Sequence, residues 1–221
     1  TPLASGEKMG AFGLTEPSAG SDAGSTKTTA VRDGDDWIIS GQKSVVPNGG
    51  NAGLLIIPAR TSGGATDVDG ITLFALGGMA EGVERRGYPT VDGHQAAELY
   101  LHDVRVEDAA MLGDPDQGYE ILDAVIAEAT LAVCAEAVGI MQILTDKTVE
   151  YTKNREQFGV PIGSFQALQH RMVDMLTACE QSYSLLLWAC MANADGSDEA
   201  RRAIHAIKYQ VGTAGKKVGQ E

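Results

Sequence analysis

Thr15-Glu16-Pro17-Ser18-Ala19-Gly20-Ser21-Asp22 compresses a proline, a glycine and several short hydroxyl or acidic side chains into one short segment. It follows directly on the apolar Phe12-Gly13-Leu14. Such a segment leaves a strand and turns tightly, exposing backbone N–H groups and small hydroxyls along a loop. That surface suits the polar edge of a flat heterocycle or a thioester carbonyl. An ordinary surface turn is the other reading of the same residues.

Outward from this loop, residues 1 to about 116 are glycine-rich and strand-like. Thr28-Thr29-Ala30-Val31, Asp33-Gly34-Asp35 and Trp37-Ile38-Ile39-Ser40 read as a hairpin with Asp-Gly in its turn. Leu54 to Arg60 and Ile71 to Leu76 are short apolar runs that suit buried strands, and Ala97 to Val106 alternates as a half-buried strand does. Breaks at Ser62-Gly63-Gly64 and Gly77-Gly78 separate them. From about Tyr119 the grammar is helical. Ile121, Leu122, Val125, Ile126, Ala129, Val133, Ala137, Ile140, Met141 and Leu144 trace one predicted apolar stripe, and Phe165 to Cys190 carry another, with Ser164 as its expected N-cap. Asn193 to Asp198 break that helix, and a third is expected from near Glu199. The two grammars predict an α+β chain. Residues 1–116 form an antiparallel β-sandwich or barrel, and residues 117–221 form part of an up-and-down helical bundle.

The bulk properties narrow the function. The 221 residues carry a net charge of −13, which argues against a nucleic-acid partner, since that calls for a basic face. It fits a cytoplasmic protein. A polyanionic ligand would need a local cluster of Lys or Arg. Cys134, Cys179 and Cys190 show no metal-like spacing with each other or with histidine, and read as buried free thiols in a reducing compartment. His94, His102 and His205 stand isolated, so no metal site is expected. No apolar run is expected to reach the ~20 residues of a membrane span, and no signal peptide is read. The first residue is Thr1, and the last ones continue a helical pattern, so the chain reads as a piece of a longer polypeptide.

A second segment, Arg155-Glu156-Gln157-Phe158-Gly159-Val160-Pro161-Ile162-Gly163-Ser164-Phe165-Gln166, lies between two helical stretches. With the first loop it resembles the acyl-CoA dehydrogenase family, whose members carry a TEPxAGSD-like loop and a later RxxFGxPIxxxQ-like loop. Gly41-Gln42-Lys43 with Asn48-Gly49-Gly50 resembles the family's GxK…NGG segment, and Asp103-Val104-Arg105-Val106 resembles its DVxVP strand, with Glu107 where Pro is usual. The resemblance runs over essentially the whole chain. It implies a central β-domain followed by a C-terminal bundle, with the family's N-terminal helical domain and the end of that bundle outside this sequence.

The resemblance further implies FAD as cofactor and oxidation of an acyl-CoA at Cα–Cβ to a 2,3-enoyl-CoA, within fatty acid metabolism and β-oxidation. A carboxylate takes the α-proton and the flavin takes the β-hydrogen as hydride. Carried over by motif, Phe12, Leu14, Thr15, Gly20 and Ser21 would meet the flavin, with Ser21 also meeting substrate. Val45, Val46 and Pro47 would lie on the flavin face. Arg155 would serve the FAD pyrophosphate of a neighbouring subunit, where a planar bidentate donor is suited. Gln157, Phe158, Phe165 and Gln166 are further contact positions. Simple turn, core or surface roles remain the alternative for each. The implied partners are an electron-transfer flavoprotein and further subunits, in a homo-oligomer such as a homotetramer or with a second kind of chain.

Several departures bear on function. Val45 and Pro47 stand where a Trp and a Thr are frequent, and Pro47 offers neither a hydroxyl nor an N–H. Ala127-Glu128-Ala129-Thr130 replaces a DxxR-like motif. Glu128 is the one candidate base, yet it is a residue out of step with the family position, which turns a helical side chain by ~100°. The catalytic base is therefore otherwise unknown and expected beyond Glu221, and this chain alone is expected to be inactive. Asp92-Gly93-His94 through Glu98, and Phe165-Gln166-Ala167-Leu168-Gln169-His170-Arg171, resemble the pimeloyl-CoA dehydrogenase small-subunit branch. The alternatives are a non-catalytic subunit of a heteromeric dehydrogenase, or a flavin monooxygenase or oxidase of the same fold.

Overall fold

The structure, a computed structural model, describes residues 2–20 and 22–221. The chain divides into two compact units, Thr1–Asp123 and Ala124–Glu221. In the first lie strands β1 (Gly10–Phe12), β2 (Thr29–Asp33), β3 (Asp36–Pro47), β4 (Leu54–Arg60), β5 (Ile71–Gly77), β6 (Val83–Pro89), β7 (Gln95–Glu107) and β8 (Met111–Leu112). They make one sheet in the order β6-β7-β3-β2-β4-β5-β8, with β1 laid against β4.

The expected hairpin is β2–β3. Asp33 pairs with Asp36 around a turn in which Gly34 takes φ 66°, a backbone that glycine adopts without steric cost. The sheet is mixed rather than purely antiparallel, because β1 and β2 both run parallel to β4, at its Leu54 and Arg60 ends respectively. A parallel neighbour needs a long connection rather than a tight turn, and here β1 reaches β4 by way of β2 and β3, and β2 by way of β3. Strand β6 escaped the sequence reading. Glu84, Arg85 and Arg86 give it no apolar alternation, since it is an edge strand paired only with β7. The core draws on alternate residues of the longer strands, among them Ile39, Leu55, Ile57, Phe74, Leu99 and Val104. Trp37 packs edge-on to Phe74 at 5.5 Å between ring centroids, and its indole N–H donates to Asp108 at 3.0 Å.

Helix α1 (Gly118–Asn154) starts in the first unit and runs through the second, which also holds the short hairpin β9 (Glu156–Gln157) and β10 (Val160–Pro161), α2 (Gln166–Ala194) and α3 (Ala200–Gln220). On α3, Ala203, Ile204, Ile207, Val211, Ala214 and Val218 form a buried stripe at helical spacing. It packs with Met175, Cys179, Leu186 and Ala189 of α2 and with Leu131, Cys134, Val138 and Met141 of α1.

The predicted stripes of α1 and α2 need correction. Val133 and Ile140 on α1, and Leu176, Tyr183 and Leu187 on α2, are exposed, because both helices are apolar on more than one face and this unit covers only one of them. Ser164 does not cap α2. Its hydroxyl donates to the Pro161 carbonyl at 2.7 Å, and Phe165 occupies the cap position. Cys134 and Cys179 are buried, and burial pushes both thiols up, but Cys190 is exposed. Contrary to the sequence expectation, α1, with 37 residues and a stretch of mean hydropathy 1.8, is long and apolar enough to cross a membrane. Its residues Leu131, Cys134, Val138 and Met141 help build the helical core.

Candidate active site

The Thr15 loop is pinned before it turns. After β1, the Gly13 N–H donates to the Ile56 carbonyl on β4 at 2.9 Å, and the Thr15 carbonyl accepts the Ser44 N–H of β3 at 2.8 Å. Residues 13–15 thus bridge two strands. A Cβ at Gly13 would stand 2.7 Å from Ile57 Cδ1 and 3.3 Å from Lys43 Cγ, so only glycine passes here without displacing a neighbour. Glu16 then points inward. Its carboxylate meets Lys43 Nζ at 2.7 Å, and both side chains are almost wholly buried. It also accepts the Lys27 N–H at 2.8 Å and the Thr28 N–H at 3.1 Å. Burial pushes the Glu16 carboxyl up, but the Lys43 charge and these hydrogen bonds outweigh it and hold the group below its usual range. Burial in turn draws Lys43 below the usual lysine range, against the pull of Glu16.

Strand β3 carries an irregularity at the same level. Lys43 pairs with Leu99 and Val46 with Ala97, so Ser44 and Val45 together face the single residue Glu98. This is a β-bulge. Val45 sits at φ 50°, a conformation that a β-branched residue adopts only under strain. Its N–H donates to Glu98 Oε1 at 3.1 Å, the Tyr88 hydroxyl donates to the same oxygen at 3.1 Å, and Gln42 Nε2 donates to Oε2 at 3.3 Å. Burial pushes Glu98 up, yet hydrogen bonds from Ser44, Val45, Tyr88 and Gln42 outweigh it and hold this carboxyl low as well.

In the first unit Thr15, Gly20, Val45 and Pro47 are exposed, and Phe12 and Leu14 are half-buried. The structure brings Thr15 and the Val45–Pro47 segment side by side through the Ser44–Thr15 bond. Val46 is the exception among the nominated residues. It is 1% exposed, its side chain belonging to the core, so only its backbone could meet a ligand. Ser21 lies outside the described residues. In the second unit, Arg155, Gln157, Phe158, Phe165 and Gln166 lie along the segment from the end of α1 through β9–β10 to the first residue of α2. Phe158 is 94% exposed at φ 54°, and its ring meets Phe165 edge-on at 6.2 Å. Arg155 is exposed, and its guanidinium makes no ion pair among the described residues.

Glu128 is exposed and accepts a hydrogen bond from Asn193 Nδ2 at 2.6 Å, which ties α1 to the end of α2. That is a structural link rather than the setting of a proton acceptor. The described residues contain no cluster of acidic, His or Cys side chains fit to hold a metal. Sequence reading missed Glu98 as a site residue. On an alternating strand it looks like a solvated position, and only the cross-strand register shows it facing the bulge.

The family model of the acyl-CoA dehydrogenase middle domain matches residues 11–106, and that of the acyl-CoA dehydrogenase C-terminal domain matches residues 116–221. The chain belongs to the acyl-CoA dehydrogenase family. It is 36% identical to the probable acyl-CoA dehydrogenase YngJ of Bacillus subtilis, over 93% of this chain and 55% of that one. It is 34% identical to the human mitochondrial short-chain specific acyl-CoA dehydrogenase, over 85% of this chain and 46% of that one. Among solved structures, butyryl-CoA dehydrogenase from Megasphaera elsdenii superposes with a TM-score of 0.84 at 31% identity, covering 98% of this chain and 59% of that one. The chain thus spans about half the length of the relatives it matches.

Proposed function

We propose that the protein to which this chain belongs is an FAD-dependent acyl-CoA dehydrogenase, oxidising the Cα–Cβ bond of an acyl-CoA to a 2,3-enoyl-CoA. The observation that carries the proposal is the junction of Thr15 with the bulged end of β3. Two segments far apart in sequence are held together there by the Ser44–Thr15 bond and the Glu16–Lys43 pair. The Thr15 hydroxyl is exposed and makes no hydrogen bond among the described residues, so it is available to the polar edge of a flat ring. The exposed Arg155 fork suits a pyrophosphate. These residues therefore fit the cofactor on chemical grounds.

FAD, when bound, supplies the acceptor for the β-hydrogen. The chain's own part is to orient. Thr15 engages the ring edge, and Leu14 and Val45 close apolar surface on it and exclude water. Arg155 with Gln157, Phe158, Phe165 and Gln166 forms a second contact set. No described residue has the setting of the α-proton acceptor, and the base is assigned to sequence outside this chain. The exposed apolar faces of α1 and α2 are assigned to packing in a homo-oligomer. An electron-transfer flavoprotein is the proposed electron acceptor, β-oxidation the setting and the cytoplasm the compartment.

Pro47 favours a second reading. Without a hydroxyl or an N–H it donates nothing to a ring nitrogen, and an oxidase or monooxygenase would tolerate that change. The visible spectrum of the complete protein, recorded before and after adding acyl-CoAs of graded length, separates the two. Flavin bands bleached anaerobically by one chain length, with enoyl-CoA formed, are expected. Bands that no acyl-CoA bleaches anaerobically, or that bleach and return on admitting air with oxygen consumed and no enoyl-CoA formed, would favour the oxidase or monooxygenase reading. A protein purified without flavin, and unable to take it up, would defeat both.

A further inference from the structure

The bulge at Ser44–Val45 is held from both sides, by Thr15 and by Glu98, and the family reading leaves Glu98 without a role. The extra residue turns the Ser44 N–H toward the Thr15 carbonyl, at 2.8 Å, and the Val45 N–H toward Glu98, at 3.1 Å. One residue before, Lys43 enters the core to meet Glu16, and one residue after, Val46 returns to the ladder opposite Ala97. The Val45 side chain thereby points outward, 55% exposed, in a left-handed backbone that disfavours valine. Backbone strain of this kind persists only where surrounding contacts over-determine it. Here those contacts converge on one carboxylate. Glu98 receives Val45 and Tyr88 on one oxygen and Gln42 on the other.

We infer that Glu98 is a positioning residue. By closing the bulge it sets the backbone of Val45–Pro47 and, through Ser44, the Thr15 loop, and so shapes the face offered to the flavin ring. It touches no reacting atom. The inference rests on the flavin reading above for what the face meets, but not for how the face is built.

The test uses the complete protein and the variants Glu98→Ala, Glu98→Gln, Val45→Gly and the Glu98→Ala/Val45→Gly double. Two readouts are taken, amide exchange across residues 43–47 and the FAD dissociation constant from flavin fluorescence. Losing an acceptor to which several donors are aimed should speed exchange at Val45 and weaken FAD binding about tenfold in Glu98→Ala. Glutamine keeps one oxygen acceptor and should fall between. The decisive variant is the double. Glycine holds φ 50° without a steric penalty, so Val45→Gly should restore much of the slow exchange at the Ser44 amide that Glu98→Ala loses, while FAD affinity of the double is compared with that of Val45→Gly, because the Val45 side chain itself faces the ring. A general loss of packing would not be rescued this way. If Glu98→Ala proves too unstable to purify, Glu98→Gln with and without Val45→Gly answers the same question. Unchanged exchange at Val45 in the Glu98 variants, or a double variant whose Ser44 amide exchanges no more slowly than in Glu98→Ala, overturns the role of Glu98. A wild-type protein that binds no flavin would sink the functional reading instead, and the exchange data would still judge Glu98.

Discussion

Among individual residues, Glu16 and Lys43 carry the largest electrostatic stake. Two charges removed from water are tolerated because each meets the other and the carboxylate also takes two backbone N–H groups. Removing one partner strands the other. Lys43→Met should cost ~3–5 kcal/mol in urea unfolding, well beyond a typical surface change. A loss under ~1 kcal/mol would show that the pair is solvated in solution and does not pin the loop. The acid limb follows from the same chemistry. Glu16 and Glu98 both sit below the ordinary carboxylate range when folded. The unfolded chain therefore binds more protons than the folded one between those lowered values and about 4.3. Their contribution is complete above that pH and disappears as pH falls through the folded values. Urea midpoints should be flat from pH 7 to about 5 and drop below that, and Glu98→Gln should shallow the drop. An unaltered acid limb in that variant would remove Glu98 from the account.

Among elements, β3 and the helical core make different demands. Gly41 lets β3 pass the start of β2. A Cβ there would lie 2.7 Å from Thr28 Cα and 2.5 Å from Thr28 Oγ1, and a backbone atom cannot swing aside. Gly41→Ala should destabilise the β-unit by ~1–3 kcal/mol and loosen the Lys27–Thr28 amides that bind Glu16, seen as faster exchange there. In the bundle, Ile207 of α3 is fully buried among α1 and α2 residues, and Ile207→Ala should cost ~2–5 kcal/mol by leaving a cavity. Equal thermal midpoints for that variant and wild type would mean that α3 is not docked as described. Helix α3 was legible from sequence because it has one apolar stripe and one polar face. The stripes of α1 and α2 were not, because apolar residues surround much of each helix, and periodicity cannot say which face a neighbour takes.

At the scale of the molecule, the exposed Leu176, Tyr183 and Leu187 on α2 lie in a long apolar row that this unit leaves uncovered. Rows of that kind mark contact surfaces. If the proposed homo-oligomer uses it, Leu187→Glu in the complete protein should shift sedimentation toward smaller species. An unshifted distribution would place the contact elsewhere.

The sequence by itself determined the α+β class, the division into a strand-rich and a helical half, the family and the two loops that carry the candidate contacts. These are local properties. Alternation, helical period, turn residues such as Asp33-Gly34 and short ordered motifs are each written within a few positions of one another. Only the tertiary structure decided that β1 and β2 run parallel to β4, that Val46 belongs to the core while Val45 faces out, and that Glu16 and Lys43 meet in the interior. It alone placed Glu98 opposite the bulge, more than fifty residues along the chain from Val45. Such facts depend on register. A shift of one residue between β3 and β7 reverses which side chains face the core, and no local pattern in either strand records which shift is taken.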